Sequence, residues 1–307
     1  MDYAVGIDLG GTLIKAVAVT FDGKIIYKTK LETRDTSKSE SLKVRYWVSS
    51  INQQIMKIQQ RQKGGISCIG VTAPGLVDQR GISIQFMPGR LKGLEGLVWS
   101  ESLKHECPVS VLNDAHAALI GENWIGAATG FKDVVLLTIG TGVGGAIMME
   151  GKIVLGRIGR AGHMGHICLD PFGIPDFCRT PGSLEWFVGD YSVKERSGGR
   201  YSSNKELVED FKNGDYFATT LWLQTVRILA CGIVSIINTL DPEAVILGGG
   251  LIEAEGALFN PLFEILEEIE WKPGGSKVKI IQACLKEYGG AIGVAKYAIQ
   301  QYTDRNR

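Results

Sequence analysis

A chain of 307 residues is long enough for two domains, each with a core of its own. Lysine plus arginine equals aspartate plus glutamate at 33 each, so no broad basic face argues for nucleic acid or an anionic membrane, and any bound anion has to be held by a local site. The six cysteines (Cys68, Cys107, Cys168, Cys178, Cys231 and Cys284) are scattered through apolar segments and no signal peptide precedes the first strand, which points to reduced thiols and a cytoplasmic protein.

Ala4-Val5-Gly6-Ile7 reads as a strand, Asp8-Leu9-Gly10-Gly11-Thr12 as a tight turn and Leu13 to Thr20 as a returning strand. Glycine has no Cβ, so Gly10 and Gly11 are free to take left-handed conformations that leave backbone N–H groups open to an anionic oxygen. Asp8 is acidic where the turn invites phosphate, which is sensible if a divalent cation sits between them; the plainer reading is a hairpin whose aspartate caps its turn. A second turn, Phe21 to Lys24, leads to a third antiparallel strand, Ile25 to Leu31.

Residues 39 to 62 carry Leu42, Trp47, Val48, Ile51, Ile55 and Ile58 at helical spacing, and Gly64-Gly65 ends that amphipathic helix. Ile66 to Thr72 is almost continuously apolar, as befits a strand buried on both faces, and Ala73-Pro74-Gly75 breaks it. Residues 76 to 105 are turn-rich, then briefly helical. Pro108 to Leu112 is a strand delivering Asn113-Asp114 to a helix over Ala115 to Ala128.

From Asp133 the opening pattern returns. Val134 to Ile139 is a strand, Gly140-Thr141-Gly142-Val143-Gly144-Gly145 a glycine turn and Ala146 to Met149 a strand, and the following Glu150-Gly151-Lys152-Ile153-Val154 mirrors Asp22-Gly23-Lys24-Ile25-Ile26. The chain therefore reads as two copies of one unit, and two similar α/β domains facing one cleft are expected. Residues 156 to 183 are rich in Gly, His and Pro and too long for a simple connection, which marks a binding loop. Helices are expected at 183 to 190, 204 to 212, 215 to 239, 259 to 269 and 291 to 301, with strands at 244 to 247 and 278 to 283 and a turn at Gly248-Gly249-Gly250. The longest apolar stretch, Leu221 to Leu240, contains Gln224, Arg227 and Asn238, so it reads as a buried helix and not a membrane span.

Gly140, Gly142 and Gly145 satisfy the spacing of a dinucleotide-binding turn, yet a strand follows where that motif needs a helix, and Gly165 stands where its acidic residue belongs. Neither Gly23-Lys24 nor Gly151-Lys152 continues as a P-loop would. What remains is a pair of strand-turn-strand phosphate loops. Here the chain resembles the sugar kinase, hsp70 and actin superfamily, and within it the ROK family. The opening D-x-G-G-T-x-x-K is complete as Asp8, Gly10, Gly11, Thr12 and Lys15, and T-x-G-T-G-x-G-G as Thr138, Gly140, Thr141, Gly142, Gly144 and Gly145. The match continues through Ala73 to Asp78, Asn113-Asp114, Gly162 to His166, Leu184-Glu185 and Asp241 to Gly250.

That resemblance implies two ribonuclease-H-like domains of the actin/hexokinase ATPase type around an interdomain cleft, with 1–115 plus the C-terminal helix 291–307 as the smaller domain and 116–290 as the larger. It implies an ATP-dependent hexose kinase, a homodimer in the cytoplasm, with ATP and Mg²⁺ as cofactors, a sugar as partner and neither nucleic acid nor membrane. Asp114 would be the general base, although an aspartate at a strand-to-helix junction is most simply an N-cap. Asp8 would hold Mg²⁺ through water; Gly10, Gly11, Thr12, Lys15, Thr141, Gly142, Gly248, Gly249 and Gly250 would hold ATP, with a structural role open for Lys15. Gly75, Asn113, Asp114, His163, His166 and Glu185 would line the sugar.

Three departures from the family pattern bear on the sugar. Ala161-Gly162-His163-Met164-Gly165-His166 replaces A-G-E-x-G-H, so a carboxylate acceptor has become an imidazole that can also donate. The zinc motif C-x-C-G-x-x-G-C has become Asp176, Cys178 and Ser183, leaving Cys178 beside His166, and a metal-free loop is expected although His166, Cys178 and Asp176 could contribute to a zinc site. His116 stands where the family mostly has Asn, and Pro88-Gly89-Arg90 where a sugar-binding Asn is often found. An N-acetylhexosamine remains an alternative substrate. A catalytically dead sugar sensor and a sugar-responsive repressor of the same family are alternatives of another class, the latter disfavoured because no DNA-binding domain precedes Asp8.

Overall fold

The computed structural model describes residues 2–33, 46–87 and 91–306. Pro88-Gly89-Arg90 and the start of the helix foreseen from residue 39 lie outside the described residues. Contacts divide the chain into two units, one of residues 1–130, 153–161 and 284–307 and the other of residues 131–152 and 162–283.

In the first unit, β1 (Tyr3–Leu9), β2 (Leu13–Thr20) and β3 (Ile25–Glu32) form the antiparallel half of a five-stranded sheet. After α1 (Tyr46–Arg61), the parallel half is β4 (Ile66–Ala73) and, further on, β7 (Val109–Asn113), giving the order β3-β2-β1-β4-β7. Between them lie the short ribbon β5 (Leu76–Val77) with β6 (Ile84–Phe86) and a single turn, α2 (Trp99–Ser102), where only turns and a brief helix were foreseen. One face of the sheet is covered by α1 through Trp47, Ile51, Ile55 and Ile58.

α3 (Asp114–Ile125) starts one residue earlier than expected. It packs on α9 (Gly289–Arg305), so it goes with the first unit, where the sequence reading had assigned it to the second domain. Glycine makes the close approach possible: a Cβ on Gly293 would lie 1.6 Å from the Ala117 carbonyl oxygen, and one on Gly6 or Gly70 would lie 1.9 or 2.1 Å from a carbonyl oxygen of α9. No side chain larger than hydrogen fits this seam.

The second unit repeats the plan. β8 (Val134–Ile139), β9 (Val143–Met149) and β10 (Lys152–Ile153) are its antiparallel half, and β11 (Ala244–Gly248) and β12 (Lys279–Gln282) its parallel half, in the order β10-β9-β8-β11-β12. Its helices are α4 (Leu184–Val188), α5 (Val193–Arg196), α6 (Asn204–Lys212), α7 (Tyr216–Leu240) and α8 (Gly256–Ile269). Asp215 caps α7, accepting from the Ala218 N–H at 2.8 Å. α7 is long and apolar enough to cross a membrane by composition, but Trp222, Val226, Leu229 and Ile233 are buried in the core of this unit, where it packs against α4, α6 and α8.

Candidate functional site

The turn between β1 and β2 is held by its own backbone. Gly10 N–H donates to the Leu13 carbonyl at 3.0 Å, and the Thr33 hydroxyl donates to the Gly10 carbonyl at 2.6 Å. Neither Gly10 nor Gly11 is left-handed, contrary to expectation. Gly10 supplies room instead, because a Cβ there would lie 3.0 Å from the Leu13 oxygen. Asp8 is directly opposite Lys15 in the antiparallel ladder, and their charged groups are 3.4 Å apart. Lys15 is thus turned onto the acid rather than standing alone for phosphate. Burial pushes Asp8 up to about 6; nearby Asp114 adds to the rise and Lys15 opposes it. The start of α9 lies against the carboxylate, since a Cβ on Gly290 would be 3.3 Å from it.

Asn113, not Asp114, is the N-cap of α3: its Oδ1 accepts from the N–H groups of Ala115 at 3.0 Å and His116 at 3.3 Å. Its Nδ2 donates to the carbonyl of Gly75 at 3.0 Å. Gly75 has φ +105°, and a Cβ on it would lie 2.5 Å from the Phe86 oxygen, so this turn requires glycine. Asp114 is the first helical residue, where the helix N-terminus favours a carboxylate. The buried His116 ring meets the Ala161 carbonyl through Nε2 at 3.2 Å and ties down the chain just before Gly162.

In the second unit, Gly140 N–H donates to the Gly142 carbonyl at 2.9 Å, and the carbonyls of Gly140 and Thr141 accept from Asp190 and Tyr191, each at 3.0 Å. Glu185, in the first turn of α4, accepts a hydrogen bond from this turn: its Oε2 takes the Val143 N–H at 2.7 Å. A Cβ on Gly142 would lie 2.3 Å from that oxygen, so this glycine makes space for a carboxylate. The other oxygen, Oε1, is buried with no partner among the described residues, and burial pushes Glu185 up from the ordinary carboxylate range despite the Val143 bond. Gly249 has φ +88° and crowds the Ile139 backbone, whereas Gly250 borders open space.

A cavity of about 480 Å³ adjoins this turn, lined by Gly140, Thr141, Gly250 and residues of α6 and its approach. Sequence reasoning missed its polar lining. Asp190 Oδ1 accepts from the Asn204 N–H at 2.6 Å, and Asn204 Nδ2 donates to the Val188 carbonyl at 3.1 Å, which leaves Asn204 Oδ1 buried without a partner among the described residues. An asparagine at a helix start reads as an ordinary polar residue until the fold buries it.

Gly162 is left-handed and presses on Gly145 and Ala146 of β9, and His163 leads a single 3₁₀ turn, Met164–His166. His166 Nδ1 is 2.7 Å from Asp176 Oδ2. Asp176 Oδ1 accepts from the N–H groups of Cys178 at 2.9 Å and Thr180 at 3.0 Å. Burial would raise Asp176, but hydrogen bonds led by His166 outweigh it and hold the carboxyl below its usual range. Ser183 caps α4, accepting the Trp186 N–H at 3.2 Å.

A model of the ROK family matches residues 4–301. The glucokinase of Thermotoga maritima is 28% identical over 310 residues, covering 95% of each chain. Among solved structures, a ROK hexokinase from Thermus thermophilus is similar with a TM-score of 0.86 at 27% identity, covering 98% of this chain and 99% of its own. A ROK family glucokinase from Streptomyces griseus, solved with glucose and AMPPNP, is similar with a TM-score of 0.78 at 26% identity, covering 97% of this chain and 99% of its own.

Proposed function

The chain belongs to the ROK family, and from that premise we propose that it is an ATP-dependent kinase transferring the γ-phosphate of ATP to a hydroxyl of a hexose. Its mixed sheets are those of the actin/hexokinase-type fold. The observation that carries the proposal is Asp114. Asn113 takes the N-cap position of α3, so the Asp114 carboxylate falls in the first helical turn, where its Oδ1 accepts the Ala115 N–H at 2.9 Å, beside the turn that holds Asp8.

In this reading Asp114 accepts the proton of the acceptor hydroxyl as its oxygen bonds to the γ-phosphorus and the bond to the ADP oxygen breaks. Magnesium enters with the nucleotide as part of the substrate. Asp8 fits it, being a partly buried carboxylate whose cationic neighbour Lys15 is loosely placed at 3.4 Å. The amides of the Gly10 to Thr12 and Gly140 to Gly142 turns, with the Thr12 and Thr141 hydroxyls, hold phosphate oxygens. Gly248 to Gly250 shape the nucleotide side, and the cavity beside them takes the nucleoside, where Asn204 Oδ1 suits an exocyclic amine. Asn113 fixes the Gly75 turn, and Gly75, His163, His166 and Glu185 Oε1 face the sugar. A cytoplasmic homodimer belongs to the same reading, and the mass in solution from sedimentation equilibrium checks the dimer.

Purified protein with ATP and Mg²⁺ should release ADP only when a suitable sugar is added. A screen over glucose, mannose, fructose, allose, glucosamine, N-acetylglucosamine and N-acetylmannosamine identifies that sugar and separates kinase from sensor. On the best sugar, Asp114→Asn should lower kcat by about 10²–10⁴ while leaving sugar binding by calorimetry largely intact. Near-normal turnover in that variant removes Asp114 from the role of base.

A further inference from the structure

The family pattern implies a structural zinc in the loop that carries His166, and the residues here do not fit one. Such sites are normally tetrahedral and rich in cysteine. His166, Asp176 and Cys178 do bring their donor atoms within 4.8 Å of one another, but they make three donors with one sulfur. Both oxygens of Asp176 are already in use, one by His166 and one by the Cys178 and Thr180 amides, and its side chain is fully buried. Ser183, at the place of the last cysteine, accepts the Trp186 N–H at the start of α4 through its hydroxyl oxygen and donates the hydroxyl proton to Asp176.

We propose that Asp176 has taken over the ion's task as a positioning residue, and that the exchange reverses the hydrogen-bonding sense of His166. A neutral imidazole bound to a metal through Nδ1 carries its proton on Nε2 and is a donor there. A neutral imidazole that donates Nδ1–H to a carboxylate presents Nε2 as an acceptor. The 2.7 Å contact to Asp176, whose Oδ1 is pinned by two backbone amides, selects the second form. The His166 side chain is 26% exposed and meets the Phe177 ring edge to face, so part of the imidazole can still reach a ligand. The specificity consequence rests on the kinase reading above: the sugar hydroxyl at His166 must donate.

Two arms test this independently of each other. Nitrogen-15 NMR of the imidazoles at pH 8, with His166 assigned through His166→Gln, should show the Nδ1–H tautomer in the wild type, and protein prepared without added zinc should hold far less than one zinc per chain. An Nε2–H at His166, as neutral tautomer or imidazolium, or stoichiometric zinc, overturns the proposal whether or not the protein is a kinase. Asp176→Asn keeps an oxygen for the two amides and turns an NH₂ toward Nδ1, which should switch the ring to Nε2–H. In that variant the KM for the best sugar should rise about tenfold, the loss of one hydrogen bond, with kcat and the KM for ATP little changed. A switched tautomer with an unchanged sugar KM overturns the specificity consequence. If Asp176→Asn fails to fold, the wild-type tautomer and zinc content still decide.

Discussion

The two glycine turns are built on the same plan and differ in the residues that face them. Counted back from the first glycine of each, Asp8 corresponds to Thr138, and the residue opposite in the ladder is Lys15 in one and Gly144 in the other. An acid-base pair has its counterpart in a hydroxyl and a hydrogen. Behind the second turn stands Glu185, which accepts an amide of the turn and occupies the space that Gly142 leaves. The first turn thus keeps its carboxylate at the ladder, where a cation accompanying phosphate can be met. The second keeps its carboxylate behind the turn, where it fixes the backbone. A shared backbone plan places amides; the flanking side chains decide what charge each copy can accept.

The comparison is broken most sharply by Asp8→Asn. If the first turn differs from the second because it meets a cation, removing the charge should lower kcat/KM for the magnesium nucleotide by about 10²-fold, and the loss should be mainly in the nucleotide dependence. Thr138→Val, the corresponding change in the second turn, should cost much less. Equal losses would mean that the acid at position 8 is part of the turn's framework only.

A smaller effect separates the glycines. Gly142→Ala forces a methyl group to within 2.3 Å of a carboxylate oxygen that is buried and bonded, so about 1–3 kcal/mol of stability should be lost. Gly10→Ala meets a single oxygen at 3.0 Å and should cost less. Thermal or denaturant unfolding of the two variants checks the order, and a reversed order would show that Glu185 swings away at little cost.

Much of this plan was legible in the sequence, because strands and turns are written in local alternation and glycine spacing. The repeat of Asp22 to Ile26 at Glu150 to Val154 exposed the duplication. What could not be read are choices made by distant partners. Asn113 and Asp114 are equally good caps in sequence, and the carbonyl of Gly75 is among the groups that hold Asn113 in that role. Gly10 looked like a residue chosen for a left-handed turn, yet it is not left-handed; like Gly142, it clears space for an oxygen brought by another residue. Asn204 and Asp190 became visible as a polar pair only once α6 had packed beside the second turn. Asp176 could be placed by counting from lost cysteines, but its bond to His166 depends on the fold of the loop.

The finest distinction between the turns is in their response to pH without ligand. Asp8 is raised to about 6 by burial, with Asp114 adding to the rise and Lys15 opposing it, while Thr138 has nothing to titrate. A carboxyl that binds its proton more tightly folded than unfolded contributes stability that is fully present below the unfolded value near 4 and is lost as pH rises through about 6. The melting temperature of the wild type should therefore fall relative to that of Asp8→Asn between pH 4 and pH 7, the gap staying flat above. Lys15→Met removes the opposing charge, so the same decline should extend to higher pH. Magnesium nucleotide favours the ionised carboxylate and should narrow the gap between wild type and Asp8→Asn above pH 6. A gap independent of pH would show that Asp8 is as well solvated in the folded chain as in the unfolded one, and the first turn would then differ from the second in sequence but not in electrostatic character.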